Sequence, residues 1–136
     1  MKQYRFLSII VMCLVALFGA HYLSAQSYIY RGDSTYRSNI LYTWDGRHLY
    51  RGDSTYRSNI LYTWDGRHLY RGDSTYSSAI LFTWNGKNLF QGNSTYRSAI
   101  VYTYDGQHVY SGDSHYRSAI IATIRGSVPP FLFAVI

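Results

Sequence analysis

RGDSTYRSNILYTWDGRHLY, residues 31–50, decides the fold, because residues 51–70 repeat it without one change. Residues 71–90, 91–110 and 111–130 are progressively looser copies, and Tyr28-Ile29-Tyr30 ahead of them reads as the tail of a preceding half-unit. Self-similarity at a fixed period marks a repeat architecture, in which one small supersecondary unit is multiplied until the units bury a common core. Gly32, Ser34, Tyr36, Ser38, Ile40, Thr43 and Gly46 have the same residue at every equivalent place. Several of these lie two apart, and the series continues through Tyr42 and Trp44. Alternation of this kind is the signature of a strand, since successive side chains point to opposite faces. Nothing in the unit has a 3.6-residue period, and its Tyr, Ile, Thr and Trp content favours strand.

Two breaks punctuate each copy. Asp45-Gly46, with Asp65-Gly66, Asn85-Gly86 and Asp105-Gly106, sits between apolar flanks and signals a two-residue hairpin, whose type I′ turn needs positive φ at both central residues. That turn would place Trp44 opposite Arg47, Tyr42 opposite Leu49 and Thr43 opposite His48. Gly32-Asp33-Ser34 is the second break, where both side chains can hydrogen-bond their own backbone. The alternation from Gly32 to Trp44 outruns an average strand, so a bend near Ser38 is expected. The fold class is therefore all-β: tandem 20-residue repeats forming an open β-hairpin array, with a β-solenoid of one repeat per coil as the alternative.

Residues 1–25 read as an export signal. Lys2 and Arg5 precede an apolar run over residues 6–20, and Leu23-Ser24-Ala25 offers a small residue for cleavage before Gln26. An uncleaved N-terminal anchor is the other outcome. The domain organisation is then a signal peptide over 1–25, a partial unit over 26–30, five repeats over 31–130 and an apolar cap over 131–136. That tail is too short to span a bilayer, so no membrane span is expected after cleavage. Were it left uncovered, it would be a self-association edge. Cys13, the single cysteine, falls inside the signal, which leaves no thiol, disulfide or cysteine metal site in the mature chain. Without Lys2 and Arg5, eleven Lys and Arg face seven Asp and no Glu, a formal charge of +4 with the signs interspersed. A nucleic-acid groove would concentrate its cations on one face, so no nucleic-acid partner is expected.

Three motifs invite a site. Arg31-Gly32-Asp33, Arg51-Gly52-Asp53 and Arg71-Gly72-Asp73 resemble the tripeptide by which animal adhesion proteins engage integrins. The later copies read Gln91-Gly92-Asn93 and Ser111-Gly112-Asp113, so turn chemistry explains the string and RGD-type adhesion is a minor alternative. His48, His68 and His108 share one position, but Asn88 interrupts them and no carboxylate or thiol recurs at ligand spacing. No metal or other cofactor is expected. Ser, His and Asp recur in every early copy with none distinguished, whereas catalysis needs one preorganised constellation; the chain is read as no enzyme, with no catalytic residues. The aromatic residues carry the most information. Tyr36, Tyr42, Trp44 and Tyr50 recur, many of them as core, and Trp44, Trp64, Trp84 and Tyr104 are the candidate ligand-binding series for stacking on sugar rings.

The unit is similar to the short hairpin repeats of choline-binding and glucan-binding cell-wall modules, through Tyr42-Thr43-Trp44-Asp45-Gly46 and the following Leu49-Tyr50. The paired aromatics and Gly-Trp starts of those repeats are missing, so their choline site is not carried over. A looser likeness, in copy length and strand-turn-strand form but without their Gln/Asn-rich motif, is to exported amyloid-forming repeat proteins of bacterial biofilms. The reading is an exported module, periplasmic, cell-surface or extracellular, that binds cell-envelope or extracellular glycans. The alternative is a structural, self-assembling surface protein.

Overall fold

The computed structural model describes residues 26–136, so the signal segment and Cys13 lie outside the described residues. The chain is all-β and built as a β-hairpin repeat array. The described residues divide into two compact units, 26–63 and 64–136. The first contains β1 (Ser27–Tyr30), β2 (Ile40–Trp44), β3 (His48–Arg51) and β4 (Ile60–Trp64), whose last residue falls at the division. From β1 to β4, consecutive strands pair antiparallel. The second contains β5 (His68–Arg71), β6 (Ile80–Trp84), β7 (Asn88–Gln91), β8 (Ile100–Tyr104), β9 (His108–Ser111), β10 (Ile120–Thr123) and a short helix α1 (Leu132–Val135). Its strands follow the same rule. Antiparallel neighbours rule out a solenoid, which would stack equivalent strands in parallel.

The register differs from a two-residue hairpin. Trp44 faces Leu49, Thr43 faces Tyr50 and Tyr42 faces Arg51, leaving four residues in the loop. Only Gly46 takes positive φ there, at 96°, and no described residue other than glycine does so. Asp45 therefore cannot serve as the first centre of a type I′ turn. Its Oδ1 instead accepts the backbone N–H groups of Arg47 and His48 at 2.8 and 2.6 Å, closing a wider Asx-type loop.

The long alternation also resolves differently. Strand character begins only at Ile40; residues 37–39 form a single 3-10 turn, and residues 32–36 are loop. The invariant residues of that stretch are loop chemistry rather than one face of a strand. In the loop after β3, Gly52 has φ +69°, donates its N–H to the Leu41 carbonyl at 2.7 Å, and accepts the Thr43 hydroxyl on its own carbonyl at 2.7 Å. Ser54 Oγ accepts the Tyr56 N–H at 3.1 Å. Where β3 meets β4, Leu49 pairs with Tyr62 and Tyr50 with Ile60, so Leu61 is bulged out of the ladder. The same bulge recurs in β2, β6, β8 and β10, beside the recurring loop that precedes each of them.

Packing follows the register. Leu49, Leu69 and Leu89 are fully buried, each worth about 2 kcal/mol on transfer from water. Thr43, on the opposite face of its hairpin, is buried as well, and its hydroxyl is satisfied by the glycine carbonyl just described. Both faces of a hairpin thus carry core. In the second unit the C-terminal tail is part of that core: Phe131, Leu132 and Phe133 are buried, and the Phe131 ring lies 5.0 Å from that of Trp64.

Candidate binding surface

Each hairpin loop holds a carboxylate network. Beyond its two backbone donors, Asp45 accepts the hydroxyl of buried Tyr50 on Oδ2 at 2.8 Å, and His48 Nδ1 lies 3.5 Å from the same oxygen. Asp65 with Tyr70 and Asp105 with Tyr110 repeat this at the same distance. Burial pushes Asp45 and Asp65 upward, but the backbone N–H groups and the tyrosine hydroxyl outweigh it and hold both below the usual carboxylate range. Asp105 is held well below by the His108 N–H first, then by Gln107 and Tyr110. The histidines sit edge-on to the tyrosines of their own hairpins, with ring centroids about 6 Å apart. Among the described residues, no group of three or more His, Cys, Asp and Glu is placed to hold a metal ion.

The third hairpin changes this network as a set. It carries Asn85 for Asp, Phe90 for Tyr and Asn88 for His. Asn85 Oδ1 still accepts the N–H groups of Lys87 and Asn88 at 2.9 and 2.7 Å, so the loop geometry survives without the charge. Phe90 has no hydroxyl to satisfy, and Asn88 turns its amide to Thr103 Oγ1 at 2.9 Å.

The aspartate of the Arg-Gly-Asp string has a partner in the preceding copy. Arg37 Nε donates to Asp53 Oδ2, and Arg97 Nε to Asp113 Oδ2. Arg57 and Asp73 hold the same two positions in the sequence. At the remaining junction both change together, to Ser77 and Asn93. From the second copy onward, an aspartate retained where an arginine lies sixteen residues earlier, and lost with it, is accounted for by this contact between copies; Asp33 follows Leu17 at that spacing and is not.

The aromatic residues divide three ways. Tyr30, Tyr50, Tyr70, Phe90 and Tyr110 are core. The candidate stacking series of Trp44, Trp64, Trp84 and Tyr104 is half-buried, each member lying across the ladder from core or packed on it, and the Trp64 ring is covered in part by Phe131. Tyr36, Tyr56, Tyr76, Tyr96 and Tyr116 are 77–79 % exposed, although the residue is the same in every copy. Sequence reasoning placed them on a strand face because of their two-residue spacing from Ser34 and Ser38. Their loop position, beside the serine that turns the backbone, is what puts them outside. Ser38 and its equivalents are also exposed, and no contact in the structure explains why they never vary.

Residues 20–136 match the family described as 6-fold beta flower protein. The chain belongs to the 6-fold beta flower family. No curated protein and no solved structure matches this beta flower chain. The membership covers the whole hairpin array and agrees with the hairpin architecture of the repeats. It brings no ligand or activity with it. The features of this beta flower protein that packing leaves unexplained are the exposed tyrosines, each followed at one and two residues by Arg or Ser and by Ser.

Proposed function

We propose that this protein is an exported, non-catalytic binding module for cell-envelope or extracellular glycans, with Tyr36, Tyr56, Tyr76, Tyr96 and Tyr116 as its principal stacking surfaces. The observation that carries this reading is five identical side chains, one in every copy, each about four-fifths exposed. A tyrosine ring presents an apolar face with a polar tip. A pyranose presents the matching combination, C–H bonds on one face and hydroxyls at the rim. Arg37 and Ser38, both exposed beside Tyr36, supply donors for those hydroxyls. Five weak contacts on one chain gain strength through avidity when the ligand is itself a repeating polymer. The half-buried rings of Trp44, Trp84 and Tyr104 add a secondary contact. The likeness of the unit to glucan-binding cell-wall hairpins supports the same class of ligand.

The test is retention of the mature chain in gels cast with a panel of soluble polysaccharides. The comparison is a variant with all five tyrosines changed to Ser, checked for an unaltered circular dichroism spectrum. Retarded migration of the parent and free migration of the variant is the expected result. Equal migration of both in every gel would refute the proposal. If the variant differs instead by failing to sediment as oligomers that the parent forms, the tyrosines serve self-assembly.

A further inference from the structure

A cleft of about 760 Å³ opens in the second unit beside the third hairpin loop, within the size range of small-ligand sites. Lys87, Arg97, His115 and Tyr116 line it, with Phe90 and Asp113. Two features distinguish this place from its counterparts along the chain, the residue at 85 and the residue at 115. The adjoining loop carries Asn85 where Asp45, Asp65 and Asp105 carry a charge. The substitution keeps both loop hydrogen bonds, so what it removes is the negative charge. His115 stands where the other copies have Thr35, Thr55, Thr75 and Thr95, and its ring lies 5.7 Å from that of Tyr110. The single carboxylate in the lining, Asp113, is engaged by Arg97 Nε, and Lys87 adds a second cation to the lining.

We infer that this cleft binds an acidic sugar residue. The sugar's anionic group sits against Lys87 and Arg97, and its ring stacks on the exposed face of Tyr116. The inference rests on the glycan reading for the sugar and adds the charge to it. A carboxylate and a sulfate ester offer the same chemistry to these two cations. Arg97, planar and with several donors, can grip either through two parallel bonds, while Lys87 acts as a point charge. His115, which also lines the cleft, offers a ring nitrogen to a sugar hydroxyl.

Titration calorimetry on the mature chain tests this with three probes: trigalacturonate, its fully methyl-esterified form, and a trisaccharide carrying one sulfate. Trigalacturonate is expected to bind about five- to tenfold more tightly than its ester, with the advantage shrinking as salt is raised. Lys87→Gln should remove most of that advantage. So should the double change Asn85→Asp with Phe90→Tyr, which rebuilds the loop of the neighbouring copies and so keeps the fold. Binding of the sulfated probe alone would assign the site to sulfate esters. Equal binding of acid and ester, or an acid advantage untouched by both variants, would overturn the inference. If a neutral polysaccharide is retained through the tyrosines while neither anionic probe binds, the inference falls and the glycan reading stands. If nothing in either panel binds, both fall.

Discussion

Changing Asp45 to Asn and Tyr50 to Phe, singly and together, reproduces in the first hairpin what the third already carries. The structure sets the size of each effect. The Tyr50 hydroxyl donates to Asp45 Oδ2 at 2.8 Å from a side chain that is buried, and the carboxylate is 22 % exposed. A hydrogen bond to a charged acceptor contributes about 1.5–3 kcal/mol, and the partial exposure places this one near the lower end. Asp45→Asn keeps both backbone N–H bonds on Oδ1, as Asn85 does, but puts an amide NH₂ where the tyrosine hydroxyl had a charged acceptor, so its cost is that charge-assisted bond, about 1.5 kcal/mol. Tyr50→Phe loses the same bond and costs about the same. The double variant has no hydroxyl left to satisfy, so it should cost about 1.5 rather than 3 kcal/mol, a coupling of about 1–1.5 kcal/mol. Urea unfolding followed by circular dichroism measures all four proteins, with equal m-values required for the comparison. Additivity within about 0.5 kcal/mol would show that the two residues do not act as a pair, and that their joint change in the third hairpin has another origin.

The tail and the turn are open to equally direct tests. Phe131→Ala should destabilise the chain by about 3–5 kcal/mol, because the ring is fully buried against Trp64. Tryptophan emission should shift to longer wavelength at the same time; unchanged stability would mean the tail is not core. Thr83→Val keeps volume but strips the Gly92 carbonyl of the hydroxyl it accepts at 2.8 Å, at a cost of about 1–3 kcal/mol, read from the same urea curves. The pH dependence follows from the loop carboxylates. Asp45, Asp65 and Asp105 are held below their ordinary value in the folded chain. Their contribution is therefore complete above the unfolded carboxylate pKa of about 3.9 and is lost as pH falls below it. Tyr70 is raised by burial and then by Asp65, and Tyr110 by Asp105 first. That contribution is complete below the unfolded phenol pKa of about 10 and is lost as pH rises through it. The melting temperature should be level between about pH 5 and 9 and fall on both sides. Asn in place of all three aspartates should flatten the acid limb.

The repeat and its strand-turn-strand content were legible because duplication repeats each signal five times. Asp45-Gly46 marked the right loop with the wrong register. The dipeptide is ambiguous between a turn that needs positive φ at both residues and one in which the aspartate side chain substitutes for a backbone turn. The spacing of Gly32, Ser34, Tyr36 and Ser38 mimicked a strand because two-residue periods also arise when a loop alternates a φ-positive glycine, a backbone-binding serine and an outward side chain. What identifies Tyr36 as exposed is the 3-10 turn that follows it, which leaves little periodic trace. The pairing of Arg37 with Asp53 could have been read from the sequence, since Ser77 and Asn93 change together at that spacing. The cleft beside Lys87 could not, because it depends on three copies meeting in space.

Phe131 against Trp64 has a consequence for how the chain can grow. Residues 31–50 and 51–70 are identical, and Arg37 and Arg97 each reach one copy ahead, contacts that do not by themselves fix how many copies are joined. The tail does. It must travel from the last strand to one particular ring, and a copy gained or lost between residues 65 and 130 would bring it to a different neighbour. The tail therefore works as a ruler on the downstream part of the array and leaves the upstream part unmeasured. Natural length variants should accordingly gain or lose copies ahead of Trp64, where the one perfect duplication begins.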